Sequence, residues 1–245
     1  MKILSKPGPL MAPLPAVMVT CGDMENSNII TIAWTGIINT NPPMTYVSVQ
    51  RSRHSYDIIK ERGEFVINVT TEDLVKAMDY CGVKSGRDVD KFKELALAKE
   101  PADLVAAPLI AESPVNLECK VVDVKEMNSH VMFMAEIVAV HIDDRYVDEN
   151  GAYDYGSMKF VAFNHGKYYK VDSKPLGFFG YSIMKPKTAK RKRQELPRRK
   201  NVQDKKELSE NKKLSRTQRT SRNTISKNDK EARDGIHRRK NSRNR

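Results

Sequence analysis

The chain has 245 residues, of which 39% are hydrophobic and 30% are charged, and its formal net charge is +12. Residues 185–245 contain 24 Lys and Arg against 7 Asp and Glu, a net +17, whereas residues 1–184 contain the other 19 basic and 24 acidic residues, a net −5. A uniformly basic folded body is therefore excluded, because the basic character belongs to the C-terminal segment.

The same division predicts the domain organisation. Residues 185–245 contain no Phe, Trp, Tyr, Met or Cys. Their few aliphatic residues offer too little apolar area to offset the entropy that is lost on ordering. We predict one folded domain at 1–184 and a basic, disordered tail at 185–245.

Cysteine usage and apolar runs indicate the cellular context. Cys21, Cys81 and Cys119 form no C-x-x-C pair and leave an odd number, which favours a reducing compartment over a disulfide framework. The longest apolar run, near 29–38, is shorter than the roughly 18 residues that predict a transmembrane helix. We therefore expect a cytoplasmic protein without a transmembrane segment.

Alternating hydrophobicity predicts strands in the first third of the chain. We predict a strand at 16–23, a turn, and a second strand at 29–36 that contains Trp34, the one tryptophan of the chain. Two prolines predict a loop at 39–44. The predicted elements that follow are a strand at 45–50, a short helix at 54–62 and a strand at 64–69.

Helical spacing begins after residue 70. Thr71, followed by two acidic residues, is typical of an N-cap and predicts a helix at 71–80. A glycine-containing loop at 81–88 and a helix at 89–96 come next, and then strands near 115–127, 131–143 and 158–164. Six or seven alternating strands with few helices favour a mainly β fold, an antiparallel barrel with peripheral helices, over a parallel α/β sheet.

Polar and cationic side chains concentrate where the first strands end. Hydroxyls at a helix N-terminus with cations nearby suit a phosphate group, and Trp34 offers an apolar face to a planar ring. The cluster, which indicates a flat, phosphorylated cofactor, comprises Thr31, Thr35, Ser48, Gln50, Arg51, Ser52, Arg53, His54 and Ser55. The alternative is that Trp34 belongs to the core and that 51–55 is a solvated turn.

A second cluster lies in 81–92, where Gly82 and Gly86 permit successive backbone amides to face one anion. The polar side chains around them are Lys84, Ser85, Arg87 and Lys91. An ordinary surface loop is the alternative. Cys81 has no evident base beside it, so we expect a small buried hydrophobe. The five histidines lack metal-ligand spacing, and we predict no metal site.

Six segments follow one another between about residues 10 and 184: NIITIAWTG, PPMTYVSVQRSRHSY, GEFVINV, YCGVKSGRDVDKF, APLIAESPVNLECKV and HVMFMAEIVAVHID. Together they resemble the flavoredoxin and flavin reductase family. The resemblance implies a split β-barrel that binds FMN non-covalently, usually as a homodimer. It also implies electron exchange with NADH, NADPH or a redox protein.

The resemblance further implies which residues contact the cofactor. The small residues beside Trp34 would let the flavin ring approach the backbone, and a second strand end would run along the ring and its ribityl chain. The implied contacts are Thr31, Ala33, Trp34, Thr35, Ser48, Val49 and Gln50 for these parts, His54, Ser55 and Lys91 for the phosphate, and Ser85 and Gly86 on the adjoining loop.

Two departures from the family pattern bear on function. Where many flavin reductases have Gly-Asp-His, this chain has 128-NSH-130, so His130, a candidate near the nicotinamide or the flavin, lacks an acidic neighbour to orient it. Aromatic residues often stand in the family at the position of His54. A histidine there predicts an FMN affinity that depends on pH.

Two functions remain open at this point. One is an FMN-dependent NAD(P)H oxidoreductase. The other is an electron-transfer protein that receives electrons from a partner docked on the acidic body. The tail, with basic runs at 187–193 and 198–200, would bind polyanions without sequence preference, unless it is a solvated extension without a partner.

Overall fold

The structure is a computed structural model that describes residues 1–185 and residue 188. The chain divides into two compact units, Met1–Leu176 and Gly177–Arg245. The described part of the second unit contains one helical turn, Tyr181–Ile183. The domain boundary after residue 184 stays a prediction, and the disordered tail predicted at 185–245 lies outside the described residues except for its positions 185 and 188.

The first unit is built mainly from β-strands. In chain order its strands are β1 Leu14–Pro15, β2 Val17–Gly22, β3 Ser27–Ile32, β4 Thr35–Thr40, β5 Pro43–Val49, β6 Glu64–Val69, β7 Lys99–Glu100, β8 Leu109–Ile110, β9 Val115–Glu126, β10 Val131–Ile142, β11 Val161–Asn164 and β12 Lys167–Lys170. Its helices are α1 His54–Arg62, α2 Val75–Val83 and α3 Lys91–Glu94.

Seven of these strands form one antiparallel sheet in the order β3-β2-β6-β9-β10-β5-β4. β3 and β4 lie at opposite ends of this order, yet only Ala33 and Trp34 separate them in the chain. A link of two residues is short, so the sheet has to curl until its two ends approach each other. The backbone N–H of Ser48 in β5 donates to the carbonyl of Trp34 at 3.0 Å where they meet.

The ends of the sheet meet at this point without pairing along their length, so the barrel is split. The predicted fold class, a mainly β antiparallel split barrel with a few peripheral helices, is confirmed. Smaller sheets of three strands (β1-β11-β12) and two strands (β7-β8) accompany the main sheet. We call the gap between the end of β3 and the end of β5 the seam.

Apolar residues on the two faces of β2 and β3 form two cores. Val19, Val47 and Phe133 pack inside the curled sheet together with Tyr56 and Ile59 of α1. On the other face, a second cluster brings α2, α3 and β11 onto the same strands through Met18, Ile29, Leu74, Met78, Phe92 and Val161. The two cores fix the start of α1 and the segment between α2 and α3 on opposite sides of β3.

Several predicted elements are confirmed, among them the helix at 54–62 and the strand at 64–69. α1 ends at Gly63, whose left-handed φ of 66° suits a glycine after a helix. The predicted strands at 115–127 and 131–143 correspond to β9 and β10 within one residue at each end. β12 and the two-residue strands were not predicted.

The strand predicted at 29–36 is wrong. β3 ends at Ile32, the chain bends at 33–34, and β4 begins at Thr35. The pairing partner changes at the bend, because β3 pairs with β2 whereas β4 pairs with β5. An apolar run that continues through such a change of partner hides the bend from a pattern-based prediction.

Two predicted loops are also wrong. Residues 39–44 join β4 and β5 as a hairpin with a two-residue turn at 41–42. Pro43 fits this hairpin because it is the first residue of β5, a position at which the missing N–H of proline is tolerated. α2 continues to Val83, so Cys81 and Gly82 are helical and the loop begins only at Lys84. The helix predicted at 71–80 starts as a single turn at Glu72–Leu74 and becomes α-helical from Val75.

Among the residues that the structure describes, no helix is both long enough and apolar enough to cross a membrane.

Candidate functional site

Two adjoining cavities lie along the seam. The first, of about 150 Å³, is lined by residues 30–34, 48–50, Arg53 and His130, and we call it the aromatic cavity. The second, of about 210 Å³, is lined by Asn28, Ile30, residues 52–55, 81–82 and 84–87, and Lys91, and we call it the cationic cavity. Ile30 and Arg53 line both, so the two cavities are direct neighbours.

The aromatic cavity exists because of the bend at 33–34. Ala33 has a small side chain there, and Trp34 is 39% exposed, so its indole is a wall of the cavity and not a core residue. Opposite, Ser48 and Val49 end β5 and are buried. The exposed apolar ring beside small and hydroxyl side chains is suited to a flat aromatic ligand.

His130 completes this wall from the turn between β9 and β10. Its ring centroid lies 4.4 Å from that of Trp34, with 39° between the ring planes. Burial lowers the pKa of His130 below its ordinary value, and the nearby Arg53 lowers it further. His130 therefore presents a neutral ring at neutral pH.

The cationic cavity is built on the N-terminus of α1. Residues 52–55 lie at this helix end, where the backbone dipoles favour an anion. Arg53, His54, Lys84, Arg87 and Lys91 add cationic or titratable groups to the lining. Among the described residues, no carboxylate lines either cavity, and the excess of positive charge suits a phosphate group.

Lys91 is the most deeply buried of these cations, with a relative exposure of 4%. Its Nζ donates to the carbonyl oxygens of Ile29, at 2.6 Å, and Cys81, at 2.9 Å. Burial lowers the pKa of Lys91 below its ordinary value. A protonated amine has three N–H donors, so one donor remains for an anion in the cavity.

The loop after α2 approaches the start of β3 very closely at Gly86. A Cβ at position 86 would lie 2.2 Å from Oδ1 of Asn28 and 2.8 Å from Cδ2 of His54, so a side chain cannot be accommodated there without movement. The Nδ2 of Asn28 donates to Oγ of Ser55 at 2.7 Å. These contacts join β3, α1 and the loop around the cationic cavity.

The pKa of His54 is shifted by burial and by the charges around it. Burial lowers its pKa, Arg87 and Lys91 lower it further, and the carboxylate of Asp57 opposes them without reversing the shift. Arg87 is itself held by the carbonyl of Ser52 at 3.0 Å and by Asp57 at 3.7 Å.

Cys81 also lines the cationic cavity, but its chemistry is that of a buried thiol. Burial raises its pKa to about 11. The thiolate that a nucleophile requires is therefore scarce at neutral pH. Cys119 is fully buried, as predicted, and Cys21, Cys81 and Cys119 are all free.

The structure brings together most of the residues predicted for the site. Lining the aromatic cavity are Thr31, Ala33, Trp34, Ser48, Val49, Gln50 and His130, and lining the cationic cavity are His54, Ser55, Ser85, Gly86 and Lys91. Thr35 lines neither cavity, and its hydroxyl donates to the carbonyl of Tyr46 at 2.5 Å within the β4–β5 pair.

One polar lining residue, Asn28, belongs to neither predicted cluster. It lies near the start of β3, and the Ser55 hydroxyl that accepts its amide hydrogen lies 27 residues further along the chain. An Asn after a predicted turn carries no functional signal in the sequence. Only the packing of α1 against β3 shows its role.

The comparisons with known proteins agree with this geometry. The sequence model of the flavin reductase like domain matches residues 11–171. The chain is similar to a flavoredoxin of Desulfovibrio vulgaris (TM-score 0.68, 32% identity, 74% of this chain and 98% of that one). A flavoredoxin from Methanosarcina acetivorans gives a TM-score of 0.68 at 28% identity, over 75% of this chain and all of that one.

A curated relative, an uncharacterized protein of Archaeoglobus fulgidus, is 32% identical over 161 residues, which are 66% of this chain and 89% of that protein. The match of the family model to well over half of the chain decides the family. The chain belongs to the flavin reductase like family. Its relatives place it among proteins of flavin-related redox chemistry.

The site fits a flavin nucleotide. For this member of the flavin reductase like family, the aromatic cavity offers the flat wall that a flavin ring requires, and the cationic cavity offers the donors that a phosphate requires. Each cavity alone is smaller than the roughly 300 Å³ that is typical of small-molecule sites, so a flavin nucleotide would have to occupy both.

A larger cleft, of about 400 Å³, lies apart from these cavities between turn 23–25 and segment 101–106. Asp23 and Glu25 contribute carboxylates to its lining, and its other lining residues are uncharged. This cleft does not suit a phosphate group, and its size alone does not make it the flavin site.

One wall of this cleft is held by a buried carboxylate. Glu118, which is fully buried, accepts hydrogen bonds from the backbone N–H groups of residues 103, 104 and 105 at 2.7 to 3.1 Å, and pairs with Nε2 of His141 at 2.5 Å. Burial alone would raise the pKa of Glu118, but these hydrogen bonds outweigh it and lower the pKa.

Asp103, Glu118 and His141 bring one potential metal-ligating atom each within 4.8 Å of the others. The three residues come from separate elements, so the cluster cannot be predicted from their spacing in the sequence. The Glu118 carboxylate already accepts four hydrogen bonds, and we interpret the cluster as a support for segment 101–106.

Proposed function

We propose that the protein binds FMN non-covalently across the two neighbouring cavities and transfers electrons from NADH or NADPH to the flavin, and from there to a downstream acceptor. The observation that carries the proposal is the adjacency of an aromatic cavity to a cationic cavity without a lining carboxylate among the described residues. When bound, FMN supplies the hydride and electron chemistry.

The chain's own residues bind and orient the cofactor. Ala33, Ser48 and Gln50 let the ring lie close to the backbone, and Trp34 packs against it. Ser55, Ser85 and Lys91 donate hydrogen bonds to the phosphate, and the close packing at Gly86 keeps their donors in place. The neutral thiol of Cys81 takes no part.

FMN is preferred over FAD in this proposal because the cationic cavity ends the site. The donors from α1 and from loop 84–90 surround a single anion, and a phosphate monoester satisfies them with two negative charges. FAD would need to continue past a loop that is packed against Asn28 and His54.

A titration of the full-length protein with FMN, riboflavin and FAD tests the cofactor. We expect FMN to bind at least about tenfold more tightly than riboflavin, which corresponds to about 1.4 kcal/mol for the phosphate. Equal affinity for FMN and riboflavin would show that the cationic cavity does not hold the phosphate.

An electron-transfer protein of the flavoredoxin kind is the second candidate. It is favoured by 128-NSH-130, which lacks the acidic neighbour of His130, and by the 32% identity with a flavoredoxin. Steady-state oxidation of NADH and NADPH by the FMN-loaded protein separates the two candidates. Rapid turnover supports the reductase, and negligible turnover with FMN retained supports the carrier.

We also propose a homodimer in a reducing, cytoplasmic setting. Apolar side chains on β4, β9 and β10 are exposed, namely Ile37, Ile38, Val122, Val124 and Val140. β4 ends the main sheet and leaves a strand edge unpaired within the first unit, which natural proteins usually cover. Sedimentation of wild type and Ile37→Lys tests the dimer, and we expect the variant to be monomeric.

A further inference from the structure

The turn between β9 and β10 brings His130 to the aromatic cavity. β9 and β10 pair up to Glu126 and Val131, and the N–H of Met127 donates to the carbonyl of His130 at 2.9 Å, which closes the turn. Turn 127–130 therefore decides where the imidazole lies relative to Trp34.

Arg51 fastens this turn to the opposite side of the cavity. Its Nη1 donates to the carbonyls of Met127 at 3.0 Å and Asn128 at 3.3 Å, and its Nη2 donates to Glu126 at 3.2 Å. Arg51 directly follows Gln50, which lines the aromatic cavity. One side chain thus joins two walls that are 75 residues apart in the chain.

This contact has little value as an ion pair. The side chains of Arg51 and Glu126 are 41% and 63% exposed, and ion pairs of this kind stabilise a fold only slightly. Two of the three hydrogen bonds go to carbonyls of the turn, so the consequence of the contact is the position of the turn.

Ser129 sets the orientation of the ring itself. Its Oγ lies 2.9 Å from Nδ1 of His130, where the family pattern would supply a carboxylate. A hydroxyl is neutral and does not favour the imidazolium as a carboxylate does. The charged groups around His130 are Arg53, which disfavours its protonation, and the pair formed by Arg51 and Glu126.

We propose that Arg51 and Ser129 are positioning residues that hold His130 against Trp34, and that the Trp34–His130 ring pair forms the wall against which the flavin or its reductant packs. The ligand in this statement rests on the proposed function. The positioning of His130 by Arg51 and Ser129 does not rest on the proposed function, because it concerns contacts within the chain.

Trp34 reports on the position of His130, because it is the single tryptophan of the chain. An imidazolium in contact with an indole quenches its fluorescence more strongly than a neutral imidazole does. We expect the emission of the full-length protein, before flavin is added, to fall in one step as the pH is lowered through and below the ordinary histidine range, because burial and Arg53 lower the pKa of His130. His130→Phe should abolish the step.

The positioning residues should change this step in different ways. Ser129→Asp restores a carboxylate and should raise the midpoint by about one pH unit. Arg51→Gln frees the turn and should reduce the amplitude at least about twofold. Arg62→Gln is the matched control, because Arg62 is similarly exposed and ion-paired with Asp23 at 2.7 Å, away from the cavity; it should leave the step unchanged.

An FMN titration then separates the two proposals. We expect Arg51→Gln to weaken FMN binding about fivefold and Arg62→Gln to have no effect. If neither Arg51→Gln nor Ser129→Asp alters the fluorescence step, the positioning proposal is overturned, even if FMN binds. If the step changes as expected but FMN does not bind, the proposed function fails and the positioning stands.

Discussion

The aromatic cavity and the cationic cavity are neighbours built in different ways. The aromatic cavity arises where two strand ends and a bend meet at the seam, and its walls are the Trp34–His130 ring pair and the mostly uncharged side chains of the two strand ends. The cationic cavity arises where a helix begins beside a loop, and its walls are charged or hydroxyl side chains. The first is made by the curling of the sheet and the second by side-chain chemistry.

This difference teaches that the two halves of a nucleotide ligand should respond to different substitutions. Changes in the cationic cavity should affect FMN and leave riboflavin, which has no phosphate, almost unaffected. Changes in the aromatic cavity should affect FMN and riboflavin equally. The ratio of the two affinities therefore measures which half of the site has been altered.

The largest expected effect follows from Lys91→Met. Removing the buried ammonium that we propose donates to the phosphate should lower FMN affinity by about 10- to 100-fold, since hydrogen bonds to charged groups contribute roughly 1.5 to 3 kcal/mol. Riboflavin affinity should stay within about twofold. Lys93→Met, on the exposed side of α3, is the control. An equal loss for both ligands would show that Lys91 supports the fold by its two carbonyl contacts instead.

Trp34→Ala tests the aromatic cavity. Loss of the indole wall should weaken FMN and riboflavin alike by about three- to tenfold, because aromatic contacts contribute roughly 0.5 to 1.5 kcal/mol beyond area burial. Tyr169→Ala removes another half-exposed aromatic ring, in β12, and should change neither affinity. A loss confined to FMN would place the ring of the ligand elsewhere.

A smaller, pH-dependent effect is expected from His54→Gln. The pKa of His54 is lowered, so the ring is neutral at pH 7 and gains its charge only below the ordinary histidine range. The ratio of wild-type to variant FMN affinity should rise a few-fold as the pH falls through this lowered pKa. Titration of the phosphate itself affects both proteins and cancels in the ratio. A ratio that stays constant as the pH is lowered through and below the ordinary histidine range, for as long as the protein stays folded, would contradict the prediction.

The smallest effect is expected from removing residues 185–245. Both cavities are lined by residues of the first unit, so FMN and riboflavin affinities should each change by less than about twofold at physiological salt. Isothermal titration of the truncated and full-length proteins provides the measurement. A truncated protein that no longer binds flavin would show that the domain continues beyond residue 184.

Local signals account for the parts of the fold that could be predicted. The helix at 54–62 is followed by a glycine, and the strand at 64–69 is a short run rich in aromatic and β-branched residues, so neighbouring residues determine both. The bend at 33–34 depends on β3 and β4 pairing with different strands, which no local pattern contains. Cys81 and Gly82 were predicted as loop because glycine usually interrupts a helix, yet Gly82 packs closely on Thr31 within α2.

The site residues also divide into those that local sequence signals predict and those that depend on how the elements pack together. Lys91, Ser55 and Gly86 were predicted from hydroxyl, cationic and glycine residues next to a helix start, together with the family resemblance. Asn28 required knowledge of which residues face each other across β3 and α1. Thr31 and Thr35 have the same chemistry, and each donates its hydroxyl to a backbone carbonyl. Of the two, Thr31 lines the aromatic cavity and Thr35 does not, and sequence alone does not distinguish them.

The manner in which Glu118 and Glu64 hold segment 101–106 has a consequence for protein engineering. Four successive peptide N–H groups, from residues 103 to 106, are bound by these two carboxylates. Asp103, Leu104 and Ala106 are exposed. The side chains of Leu104 and Ala106 can therefore be exchanged with little effect on the segment, whereas Asp103 lies 3.9 Å from His141 and belongs to its support. This makes the segment a suitable place to graft new recognition apart from the aromatic and cationic cavities.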